Sequence, residues 1–135
     1  MTRTALAVTC AERQVPGLPE HLADVRTWVA ALLPPACPRT ADVLLVASEL
    51  ATNAVLHSAS GLVGGAYRIR LVVTGGAVEV TVVDQGPATV PAQRPAGEGG
   101  YGLSLIAELA DAYEARTSEA GRCAWCRIDL AGGAA

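Results

Sequence analysis

Glu49, Asn53 and His57 recur every four residues between Ala41 and Ser58, so on a helix they form a single polar stripe. Leu44, Ala47, Leu50, Ala51 and Ala54 surround that stripe with apolar surface, which predicts a helix buried nearly all round. A carboxylate, a carboxamide and an imidazole aligned on a buried helix need something to bind, because polar groups buried without partners are costly. Two further segments carry related chemistry. Asp84-Gln85-Gly86 closes a strand-like run with a carboxylate acceptor and a glycine that lets a ligand approach the backbone. Gly97-Glu98-Gly99-Gly100-Tyr101-Gly102-Leu103 is glycine-rich and runs into a helical pattern. The free N–H groups and positive dipole end of such a helix start suit phosphate.

Taken singly, each segment has a plainer reading. Glu49 and Asn53 fit a solvent-facing helix stripe, Asp84 fits turn chemistry, and the glycines fit a floppy loop. His57 suits the C-terminal end of a helix dipole better than catalysis. His21 reads as a surface residue, and Trp28 and Trp125 as packing residues. Arg68 and Arg70 read as outward strand charges or a partner-binding patch.

The elements that must position these segments are legible in outline. Weak alternation over 3–10 predicts an edge strand. A helix opens at Leu18-Pro19-Glu20, with Leu22, Val25, Val29 and Leu32 on one face, and Pro34-Pro35 stops it. Pro38 opens the second helix, which carries the stripe to about Ser58. Two alternating runs, Tyr67–Thr74 and Ala77–Asp84, flank Gly75-Gly76 and predict a hairpin. On these runs Ile69, Leu71 and Val73 share a face, as do Val78, Val80 and Val82. Residues 86–100, rich in Pro, Ala and Gly, predict a functional loop or lid. A third helix follows over Leu103–Ala110, then strands Tyr113–Thr117 and Cys123–Leu130 around a turn at Gly121, and a frayed tail at 131–135. The expected fold is α+β: a two-layer sandwich of one domain over 1–135, its mixed, mostly antiparallel sheet carrying helices on one face.

Composition narrows the chemistry. Hydrophobic residues make up 51%, phenylalanine is absent, and net charge is −3 without a basic run, which argues against direct nucleic-acid contact. All ten basic residues are arginine, so every mechanism that needs a lysine is excluded. No apolar run is long enough to predict a membrane span or a signal peptide, and the expected location is cytoplasmic. The four cysteines then read as reduced; Cys123-x-x-Cys126 falls in a strand, where residues three apart point to opposite faces, a poor start for a zinc site.

Glu-x-x-x-Asn on a helix, Asp-x-Gly after a strand and a glycine-rich box opening the next helix, in that order from Glu49 to Leu103, resemble the histidine-kinase-like ATPase superfamily with its Bergerat-type ATP-binding fold. The short chain without a phosphoacceptor-histidine region is similar to the stand-alone anti-sigma-factor serine/threonine kinases. The resemblance implies ATP and Mg²⁺ as ligands. It casts Asn53 as the metal ligand and Glu49 as the general base for the attacking hydroxyl. It makes Asp84 the acceptor for the adenine amino group and Gly86 the close-approach glycine. Gly99, Gly100, Tyr101, Gly102 and Leu103 become the phosphate-facing box, with Arg94 in the lid helping to neutralise the triphosphate. Cys123 stands where the family carries a threonine near the adenine, and Ala88 where it often has another glycine. The implied partners are a sigma factor and a serine-bearing antagonist protein, with a homodimer as a further option. The competing reading is a protein-interaction module of the same fold without kinase activity.

Overall fold

A computed structural model describes residues 8–57, 65–85, 100–118 and 121–130. In chain order they form β1 (Thr9–Pro16), a 3₁₀ turn (Pro19–His21), α1 (Leu22–Leu32), α2 (Thr40–His57), β2 (Ala66–Val73), β3 (Ala77–Asp84), α3 (Gly100–Leu109), β4 (Ala112–Ser118) and β5 (Gly121–Asp129). The five strands make one sheet in the order β1-β2-β3-β5-β4, and every pairing is antiparallel, so the sheet is not mixed.

Local chemistry accounts for most boundaries. α1 ends at Leu32, ahead of Pro34-Pro35, because proline supplies no N–H to continue a helix. α2 takes its first turn from Arg39, whose carbonyl accepts from Val43 N–H at 3.0 Å. The β2–β3 hairpin closes with Thr74 N–H donating to the Ala77 carbonyl at 2.9 Å, and Thr74 Oγ1 accepts from Ala77 N–H at 3.1 Å. Of the edge strand expected over 3–10, residues 3–7 lie outside the described residues; the described strand runs Thr9–Pro16, with Thr9 opposite Val73 and Pro16 opposite Ala66. Only Val15 of its eight residues is buried. An edge strand held mainly through its backbone leaves little side-chain alternation to read.

One core cluster unites alternate residues of the strands with the inner faces of the helices. It joins Ile69, Leu71, Val78, Val80, Cys126 and Ile128 of the sheet to Val25 and Val29 of α1, Val43, Val46 and Leu50 of α2, and Ile106 of α3. The helices therefore cover one face of the sheet. Because a two-layer architecture covers only one side of α2, the helix is not buried all round: Leu45 is 41% and Leu56 59% exposed. The uncovered sheet face carries Arg68 and Arg70, both exposed, and Trp125, whose indole N–H donates to Glu79 at 2.9 Å. Trp125 is thus anchored on the open face rather than packed in the core, while Trp28 is half-buried against the core.

Candidate functional site

Among the described residues, two polar or charged side chains are buried: Asn53 and Asp84, 9% and 6% exposed. Four residues at about 100° each turn Asn53 some 40° further into the core than Glu49, which is half-buried at the rim. The Asn53 carboxamide makes no side-chain hydrogen bond among the described residues. Strand alternation sets Asp84 on the same side of β3 as Val78, Val80 and Val82, beneath the helices. Asn53 and Asp84 thus lie on one side of the sheet.

The neighbours of Asp84 follow from register. Tyr67 precedes Arg68, whose partner is Val83, so Tyr67 lies beside Asp84 on β2, and the two help line one cleft of about 250 Å³. The Tyr67 hydroxyl is buried without a hydrogen bond, and burial pushes its pKa up to about 12, so it stays neutral. On the other flank, Asp84 faces Arg122 and Val83 faces Cys123. Cys123 therefore sits on the open face, away from Asp84. It is exposed there and lines a cleft of about 310 Å³ with Val83, Arg116, Ser118, Gly121 and Arg122. Its partner in the Cys-x-x-Cys pair, Cys126, is buried on the helix side, where burial pushes the thiol up to about 12.

Gly121 opens β5 with φ at +134°, and a Cβ placed there would lie 2.2 Å from the Asp84 carbonyl oxygen. The sequence marks this residue only as a turn. The structure makes it the contact that brings β5 against the end of β3. No short-range signal distinguishes the two roles.

The glycine box also moves. α3 begins at Gly100, not Leu103, so Gly100, Tyr101, Gly102 and Leu103 form its first turn rather than precede it. The N–H groups lacking intrahelical partners are those of this turn itself. His57 closes α2. Gly86, Arg94, Gly99 and the rest of 86–99 lie outside the described residues, and Gly100, the last residue of the expected lid, opens α3.

A family model of the histidine kinase-like ATPase domain matches residues 15–128. The chain belongs to this family. No curated protein matches it. The antiparallel sheet under a helical layer is the α+β architecture of histidine kinase-like ATPases, and the family is one of nucleotide-binding domains. Among the described residues, no helix is long and apolar enough to cross a membrane.

In this histidine kinase-like ATPase domain the donor set fits a nucleotide with its cation. The carboxamide oxygen of an inward-facing Asn53 suits a hard cation, a buried carboxylate at a strand end suits a donor edge, and a glycine-opened helix suits phosphate.

Sequence reasoning missed Arg39, which organises the opposite end of the domain. Its Nε donates to Asp42 at 3.0 Å, Nη1 to Asp111 at 3.0 Å and to the Asp129 carbonyl at 3.2 Å, and Nη2 to the Leu109 carbonyl at 2.7 Å. The guanidinium caps the C-terminus of α3, where a cation also meets the favourable end of the dipole. Arg39 thereby ties the last carbonyl of α3 to the start of α2. Arg39→Ala is expected to lower unfolding free energy by about 2 kcal/mol, the half-exposed carboxylates adding little to the two lost carbonyl bonds. Urea denaturation measures it. The Asp129 N–H, at 2.7 Å, and then Arg39 hold the Asp111 carboxyl below its ordinary 3.8. A depressed carboxylate contributes stability above its unfolded value and loses it as pH falls. The stability gap between Asp111→Asn and the parent should therefore be full above pH 3.8 and close below it.

Proposed function

We propose that the domain is a protein serine/threonine kinase using Mg-ATP, an anti-sigma factor that phosphorylates a serine of its antagonist protein in the cytoplasm. The observation that carries this reading is the pairing of buried Asn53 and buried Asp84 on one side of the sheet, with Glu49 at the rim one turn away. Asp84 accepts from the adenine amino group. Asn53 would offer its carboxamide oxygen to the cation, and the first-turn N–H groups of α3 would hold the phosphates. When bound, Mg²⁺ would neutralise phosphate charge, in a chain whose basic side chains are all arginine.

Glu49 lies where a protein substrate can reach it, half-buried on α2 between exposed Leu45 and Leu56. The serine oxygen attacks the γ-phosphorus, the bond from that phosphorus to the β,γ-bridging oxygen breaks, and ADP leaves. The serine proton passes to the Glu49 carboxylate. Positioning and electrostatics carry the rate, with no covalent enzyme intermediate.

Incubation with γ-labelled ATP and candidate antagonist proteins tests this directly. Glu49→Ala should keep ATP affinity within about threefold while phosphotransfer falls by about 10²-fold or more. Transfer by that variant at the parent rate removes Glu49 from the chemistry. ATP binding without transfer to any partner supports the second reading, an interaction module presenting the Leu45 and Leu56 face of α2.

A further inference from the structure

Arg122 stands opposite Asp84 on the adjacent strand, where paired side chains lie about 4.5–5.5 Å apart at Cβ. Both belong to the sheet face beneath the helices, as the buried positions Ala124, Cys126 and Ile128 along β5 demonstrate. Arg122 is half-buried and makes no side-chain hydrogen bond or ion pair among the described residues. Arg127, further along the strand, is instead held by Asp129 at 2.9 Å. Gly121 fixes the level of Arg122, because its missing side chain lets β5 press against the Asp84 carbonyl.

We propose that Arg122 is a specificity-determining residue that reads the nucleotide base together with Asp84. This rests on the nucleotide reading above. An ionised carboxylate only accepts and a guanidinium only donates, so the pair matches a ring edge that presents a donor and an acceptor side by side. Adenine has that edge, with the 6-amino group for Asp84 and ring nitrogen N1 for Arg122. The phosphate-facing N–H groups belong to another element, the first turn of α3, so Arg122 acts at the base end. Cys123, on the opposite face, takes no part.

Calorimetric titration of the whole chain with ATP and with 1-deaza-ATP, in which C–H replaces N1, tests the contact without recourse to activity. The parent should bind 1-deaza-ATP about tenfold more weakly than ATP. Arg122→Ala should weaken ATP about tenfold and leave 1-deaza-ATP unchanged. Arg122→Met, which keeps the apolar stem, should behave the same way, separating lost donation from lost packing. Cys123→Ala should leave ATP affinity within about twofold, since the thiol has no contact to lose. Equal weakening of both nucleotides by Arg122→Ala, or no weakening of ATP, overturns the proposal. A Cys123→Ala loss larger than that of Arg122→Ala does the same. Failure of the underlying reading is visible separately, as a parent protein that binds neither nucleotide.

Discussion

Gly121→Ala is expected to cost the domain about 3–4 kcal/mol and to abolish nucleotide binding with it. Two independent penalties meet at this residue. A φ of +134° is one that side-chain-bearing residues rarely adopt, and the new Cβ would sit 2.2 Å from the Asp84 carbonyl oxygen. That oxygen is backbone in the middle of the sheet, so relief requires β5 to move away from β3, taking Arg122 from its place opposite Asp84. Against a typical total stability of about 5–15 kcal/mol the loss is large. Urea denaturation and ATP titration measure the two effects. Gly76→Ala is the control: nothing lies within 4 Å of its Cβ position, and stability should stay within about 1 kcal/mol of the parent. A Gly121→Ala protein as stable as the Gly76→Ala protein contradicts the assigned role.

Asp84→Asn is the second large effect, expected to weaken ATP binding about 100-fold while the fold stands. The substitution keeps shape and volume but removes the carboxylate. A hydrogen bond to a charged group contributes about 1.5–3 kcal/mol; the amide keeps one neutral acceptor oxygen but puts an N–H₂ donor in place of the second carboxylate oxygen. Because Asp84 is 6% exposed, water does little to make up for the lost charge. Titration of the variant against the parent decides it, with circular dichroism confirming an intact sheet. Binding unaffected by the change removes Asp84 from the site.

Of the polar stripe that stands out on α2, the structure divides the members unequally. Asn53 turns inward, Glu49 stays at the rim, and His57 closes the helix. That division follows from the 40° offset of an i,i+4 step at the boundary of a buried arc. The sequence pattern contains the step but not the position of the boundary, which depends on where the sheet lies. For the same reason a helix apolar on nearly every side still exposes Leu45 and Leu56.

What the sequence determines by itself is what short-range chemistry controls. Proline stops α1, Gly75-Gly76 turns the β2–β3 hairpin, and alternation selects Val78, Val80 and Val82 as inward residues. The same alternation carries Asp84 to the inner face, so its burial is legible too. What only the tertiary structure decided are relations between strands and helices far apart in the chain. Alternation puts Cys123 and Arg122 on opposite faces but does not say which of them shares the face of Asp84; the β3–β5 register does. The glycine at 121 acquires its role only when a carbonyl 37 residues earlier lies against it. Arg39 finds Leu109, Asp111 and Asp129 at separations of 70 to 90 residues. A side chain's chemistry is local, but its partner is chosen by packing, and packing is settled only when the whole sheet has formed.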